Sequence, residues 1–223
     1  MKPRCTITRN HALTLLDVLA VIAILVIFAV LFIPAGSSSG NKSQKIVCTN
    51  HLKQIGMAER VWAGDHNGLY PQDVPVTNGG TKEIFSDVSR FQNLAFLDFL
   101  TLSNELAMPQ ILHCPSDTDG SAATNFSPSF CNQNVSYFVG LDSTKNSPQA
   151  FMSGDDNFEI GGAPVTGGLL ALSSNVPIGW TAARHNHTGN ILLGDGSVQS
   201  STTSGLRSYL QQTGLATNRL VIP

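Results

Sequence analysis

Two histidines stand two positions apart at His185 and His187, a pair of acids sits at Asp155 and Asp156, and Asp195 opens an Asp-Gly step. In an extended chain alternate side chains point the same way, so His185 and His187 with one nearby carboxylate would make a three-ligand site for zinc or another transition metal. The usual companions of such chemistry are missing: the sequence holds no HExxH and no phosphate-cradling glycine loop. Strand geometry also separates His185 from Asp195, because residues 190–193 alone reach about 13 Å when extended. These side chains are therefore expected in turns and caps, with no catalytic residue and no enzyme activity.

The elements that carry them read as β structure with short helices. "NILL" and "SVQS" are strand-like runs separated by Gly194-Asp195-Gly196, and Asp-Gly between such runs signals a tight hairpin whose two turn residues both tolerate positive φ. Further strands are expected at 135–141, 150–155 and 168–173, with a last edge strand in "NRLVIP". "RFQNLAFLDFLTLS", at 90–103, reads as a helix, and "SGLRSYLQQTGL" as a shorter one with a Ser cap and a Gly stop. Between Lys45 and Ala63, Cys48, Leu52, Ile55, Glu59 and Trp62 recur every three or four residues. That spacing is one helical face with a single charged interruption, and it should lie on a sheet. Gly64, Asn67, Gly68 and Pro71 supply the turn residues that end it.

Upstream lies an apolar run from Ala12 to Ala35 with Thr14 and Asp17 as its only polar members. Roughly 20 helical residues cross a bilayer, so the run is expected to serve as a transmembrane anchor. Lys2, Arg4 and Arg9 precede it without any acid, which keeps the N-terminus on the cytoplasmic side. A discarded secretory signal peptide is the alternative, but a carboxylate costs about 2.5 to 3.5 kcal/mol at the centre of such a helix, and a disposable segment has no use for Asp17. With 223 residues, 13% of them charged, the chain has room for this anchor and one globular domain. Thirteen Lys and Arg against fifteen Asp and Glu give a net charge of −2 and no basic stripe, which removes electrostatic support for nucleic-acid binding.

The stretch Ala12-Leu13-Thr14-Leu15-Leu16-Asp17 with the following "VLAVIAIL" resembles the prepilin segment of type IV pilins and type II secretion pseudopilins, usually Gly-Phe-Thr-Leu-Ile-Glu and then an apolar helix. "CTNHLKQIGMAERVWAGDHNGLYP", "HCPSD" and "HNHTGNILLGDG" are similar to recurrent pieces of the pilin-like proteins of Verrucomicrobia and Planctomycetes. The last of these carries their H-x9-DG signature as His185, Asp195 and Gly196. The resemblance implies cleavage by a prepilin peptidase between Ala12 and Leu13, N-methylation of Leu13, and pairing of Asp17 with the terminal amine of a neighbouring subunit. It also implies an α+β pilin-like fold, with a long N-terminal transmembrane helix packed on an antiparallel sheet. Residues 1–12 would be the leader, 13–35 the anchor and 36–223 the exported domain.

On that resemblance the chain is expected to be a structural subunit of a type II secretion pseudopilus or type IV pilus-like filament. It would sit as a single-pass protein of the inner membrane, with its C-terminal domain in the periplasm, and its partners would be related subunits, the peptidase and an inner-membrane assembly platform. A membrane-anchored binding protein that never polymerises is the alternative. No cofactor is expected, although calcium, which orders a loop in many pseudopilins, has candidate ligands in Asp155, Asp156 and Asp195. Cys5 falls in the leader, which leaves Cys48, Cys114 and Cys131 on the exported side. Cys48 with Cys114, Cys114 with Cys131, and three reduced thiols all remain open.

Overall fold

The computed structural model describes residues 15–31, 38–86 and 94–223. Ala12 and Leu13, the expected processing site, lie outside these residues. Two compact units divide the chain, 1–39 and 40–223.

In the first unit, helix α1 (Leu15–Leu31) has 17 residues. Its rise comes to about 26 Å, short of the roughly 30 Å of a hydrocarbon layer. Among the described residues no helix is long and apolar enough to cross a membrane. The expected long transmembrane helix packed on a sheet is thus overturned. The helix on the sheet is instead the polar α2 (Ser38–Asp65), 28 residues long. The physical reason is its pattern, since one apolar stripe can face a sheet while the other faces meet water.

Cys48, Leu52, Ile55 and Trp62 of α2 are buried, together with Glu59. At Gly56 a β-carbon would press on the side chain of Leu192, so the glycine lets the helix axis approach the sheet closely. The helix stops where Gly68, at φ 80°, returns its N–H to the Ala63 carbonyl at 2.7 Å. Three short helices follow: α3 (Lys82–Ser86), α4 (Ala95–Thr101) and α5 (Ser103–Leu106). The single helix expected over 90–103 is therefore α4 and the start of α5, with Leu102 between them and residues 90–93 outside the description.

The strands are β1 (Tyr137–Gly140), β2 (Phe151–Asp155), β3 (Phe158–Ile160), β4 (Ala163–Pro164), β5 (Gly168–Ser173), β6 (Ile178–Trp180), β7 (Thr188–Leu193) and β8 (Val198–Thr202). Helix α6 (Thr203–Gln212) and strand β9 (Thr217–Ile222) end the chain. Six strands form an antiparallel sheet in the order β5-β9-β1-β2-β7-β8, and β4-β3-β6 make a smaller one. Strand β9 lies inside the large sheet, not at its edge. Leu220 and Ile222 are buried on one side of it and Val221 on the other, and a strand apolar on both faces belongs in a sheet interior.

The alternation of side chains divides the core into two layers. Tyr137, Val139, Met152, Leu192 and Val221 pack under α2 and the short helices. Phe138, Phe151, Ile191 and Leu193 face the small sheet and α6, where Phe158 stacks on Trp180 with ring centroids 4.8 Å apart. The cap of α6 is Thr202 and not the expected serine, its hydroxyl accepting from the Gly205 N–H at 3.3 Å.

The β7–β8 hairpin turns through Gly194-Asp195-Gly196. The Gly196 N–H bonds the Leu193 carbonyl at 2.7 Å, and only Gly196, at φ 77°, is left-handed. This is a turn followed by one left-handed residue, as in three-residue hairpin loops, so Asp195 does not need the positive φ expected of it.

Candidate functional site

Four segments far apart in sequence deliver one buried cluster. Cys48 comes from the inner face of α2, and Cys114 follows the 3-10 turn Pro109–Leu112. Asp155 ends β2, and His185 lies in the connection from β6 to β7. Cys48 and Cys114 are joined in a disulfide, their Cα atoms 5.5 Å apart. The bond ties α2 to this turn. Cys131 is free and half-buried. His185 Nε2 lies 3.4 Å from the Cys114 sulfur and 3.6 Å from Asp155 Oδ2.

Burial sets the charge of these groups. His185 is lowered to about 4 by desolvation, and the Lys45 and Arg184 charges push it the same way, so its ring is neutral near pH 7. Burial raises Asp155 to about 6, opposed by hydrogen bonds from Asn190 and by the charges of Arg184 and Lys45. The pair is thus a neutral imidazole beside a carboxylate, not a salt bridge. Asp155 Oδ2 accepts from the Asn190 backbone N–H at 2.7 Å and from its side-chain amide at 3.0 Å. Asp155 Oδ1 and His185 Nδ1 are buried without a hydrogen-bond partner. Such orphaned buried groups are uncommon and each one calls for a cause.

Arg184 points away from its neighbour His185. Its guanidinium pairs with Asp117 Oδ2 at 2.7 Å and with Asp156 Oδ1, and it donates to the Ser136 carbonyl at 2.8 Å. The Ser136 hydroxyl donates to Asp117 at 2.6 Å and accepts from the Cys114 N–H at 3.0 Å, which joins this ionic network to the disulfide. Burial raises Asp156 to about 7, and the Arg184 charge works against it. The network floors a cleft of about 490 Å³ bordered by Asn132, Gln133, Asn157 and Pro223.

The two histidines do not share a site. Asn186 at φ 51° and His187 at φ 58° break the extended geometry that would align them. His187 turns to the Trp180 carbonyl, 3.1 Å from its Nδ1, while His185 enters the cluster. Nor does the structure gather the calcium candidates. Asp155 and Asp156 stand at the Asn190 level of β7, whereas Asp195 lies past its far end, where its carboxylate accepts from the Ser197 N–H at 2.8 Å and its N–H reaches the Pro148 carbonyl at 3.0 Å. The H-x9-DG residues thus mark the two ends of one strand: His185 in the buried cluster, Asp195 and Gly196 in the turn.

The sequence pattern did not reveal that His185 and Asp155 meet the cysteines, nor that Arg184 and Asp117 pair beside them. The only sequence signal was residue type, four metal-ligating or redox-active side chains on four segments. Comparison with known proteins gives no match to a protein family, a characterised protein or a solved structure.

Proposed function

We propose that the chain is a structural subunit of a pseudopilus or pilus-like filament, in which α1 packs against the same helix of neighbouring subunits. The observation that carries this reading is the exposure of α1. Leu15, Leu16, Leu25 and Ile27 are 81%, 77%, 61% and 61% exposed, and Val18, Leu19, Val21, Ile22, Ile24, Val26 and Phe28 are exposed with them. So large a contiguous apolar surface marks an association site. Asp17 is its only charge, and it stands in the first turn, near the positive end of the helix dipole. In this reading a prepilin peptidase cuts after Ala12, and the new amine of one subunit meets Asp17 of the next.

Shearing of surface and periplasmic filaments, followed by mass spectrometry of both the fibres and the N-terminal peptide, tests the proposal. The chain should be present in fibres and should begin at methylated Leu13. A chain absent from every fibre and recovered only as a monomer sinks it. In that case the cleft beside Arg184 favours the second reading, an anchored binding module.

A further inference from the structure

We propose that, when their disulfide is reduced, Cys48 and Cys114 join His185 and Asp155 as the four ligands of a zinc-class divalent cation. One donor atom from each of these four buried residues lies within 4.8 Å of the other three. A tetrahedral ion with bonds of about 2.3 Å to sulfur and about 2.0 Å to nitrogen and oxygen needs sulfur–nitrogen and nitrogen–oxygen edges of roughly 3.5 and 3.3 Å. The observed edges are 3.4 Å from Cys114 Sγ to His185 Nε2 and 3.6 Å from His185 Nε2 to Asp155 Oδ2. Once the covalent bond is broken, the sulfurs can part to the roughly 3.8 Å that two thiolates on one ion require.

The surroundings suit the ion as well as the distances do. Two thiolates and a carboxylate carry three negative charges, and a dication leaves one. Lys45, bonded to Thr188 Oγ1 at 2.8 Å, and Arg184 are the cations whose charges reach Asp155 and His185. Outer contacts already orient the ligands, as metal sites require. Asn190 holds Asp155 Oδ2, the Thr188 hydroxyl donates to the His185 carbonyl at 2.6 Å, and Ser136 fixes the Cys114 N–H. The orphaned Asp155 Oδ1 adds an unused buried lone pair beside the ion. Soft sulfur with imidazole selects zinc or a similar transition ion over calcium.

The two states exclude each other because they use the same sulfurs. A dithiol reductant gives two electrons and two protons to the disulfide and becomes a disulfide itself. The cation then displaces both thiol protons and takes up the sulfur lone pairs. Oxidation by another disulfide reverses the sequence and expels the ion. The site therefore carries either a covalent staple or a metal staple between α2 and the turn after Pro109. This proposal does not depend on filament assembly.

The test uses the full chain in mild detergent, reduced with a phosphine and titrated first with cobalt(II) and then with zinc. One equivalent of cobalt should produce a thiolate-to-metal charge-transfer band and the strong visible bands of tetrahedral cobalt, and zinc should bleach both. Oxidised protein should bind neither ion, and C131S should behave as wild type. H185A and D155N should each weaken zinc binding at least tenfold, and C48S should abolish the charge-transfer intensity expected of two thiolates. If reduction unfolds the chain, zinc should restore its circular dichroism. A reduced, folded chain without the charge-transfer band, an unfolded one that zinc does not rescue, or zinc affinity unchanged in H185A would each overturn the proposal.

Discussion

Asn190 holds Asp155 twice, through its backbone N–H at 2.7 Å and its side-chain amide at 3.0 Å, and both residues are fully buried. The amide thereby offsets part of the cost of keeping a carboxylate out of water. Asn190→Ala leaves the backbone bond and removes the other, which should destabilise the fold by about 1–3 kcal/mol. Urea unfolding near neutral pH measures the loss. An unchanged midpoint would mean that water or Lys45 replaces the amide at no cost.

The disulfide closes a separation of 66 residues. In the chain-entropy model such a loop is worth about 4 kcal/mol. Reduction in the presence of a chelator should therefore shift the denaturation midpoint strongly, and Cys131→Ser should leave it in place. Equal midpoints for the oxidised and the chelated reduced chain would show that the staple contributes nothing to stability.

Glu59 and Asp98 form a separate buried acidic pair between α2 and α4. Burial pushes Asp98 up to about 7 from its ordinary 3.8, although the Thr81 hydroxyl donates to it at 2.7 Å. Burial and the Asp98 charge also raise Glu59 well above its usual value. The unfolded chain releases these protons near pH 4 while the folded chain keeps them. The stabilising contribution of Asp98 is therefore complete below about pH 4 and is lost as pH rises through about 7, and Glu59 acts in the same direction. Asp98 should account for on the order of 2 kcal/mol between about pH 5 and about pH 8. Asp98→Asn keeps an acceptor for Thr81 and should reduce the slope of stability against pH, and adding Glu59→Gln should reduce it again. Identical slopes in all three proteins would place the titration elsewhere.

How legible all this was depends on whether one element sufficed to produce the signal. The face Cys48, Leu52, Ile55, Glu59 and Trp62 announced a helix against a sheet, because a period near 3.6 is a local property and the structure buries all five. Strands β1, β2, β5 and β7 were legible from apolar runs bounded by turn residues. The small sheet was not, because β3, β4 and β6 are two or three residues each, too short for any period to show. The interior place of β9 followed from which strands it pairs with, a non-local fact. The apolar run misled most. The apolar run suggested a helix spanning a bilayer and the resemblance to pilins had that helix pack on the sheet, whereas α1 has 17 residues and it is α2 that packs on the sheet. The cluster was hidden for the same reason as β9, since its four residues meet only after α2, β2 and the β6–β7 connection have docked.

Gly196 tests the hairpin. Its φ of 77° lies where a β-branched residue is strained, and the Arg60 guanidinium fills the space that a β-carbon would need. Gly196→Val should cost a few kcal/mol, and Gly196→Asn less, because asparagine tolerates the left-handed region. Thermal unfolding of the full chain gives both shifts. Equal midpoints for the three proteins would mean that the turn adopts another form, and would reopen a ligand role for Asp195.

Asp17 bears directly on the proposed filament. A carboxylate in the first turn of an otherwise apolar helix costs free energy wherever that helix is surrounded by apolar groups, so Asp17→Ala should leave the amount of folded subunit equal or higher. The sheet domain should be indifferent, because its core is assembled from residues beyond Gly40. Assembly is where the loss should appear. A neighbour's terminal amine left without its acid in an apolar fibre core is an uncompensated buried charge, and breaking such a pair costs about 3–5 kcal/mol. Asp17→Glu restores the carboxylate one methylene further out and should assemble nearly as well as wild type, whereas Asp17→Asn should fail like Asp17→Ala, since it keeps the shape and loses the charge. The measurement is the ratio of sheared filament to total subunit for the four proteins. Equal ratios in wild type, Asp17→Asn and Asp17→Ala would show that no amine depends on Asp17, and that α1 associates through its apolar surface alone.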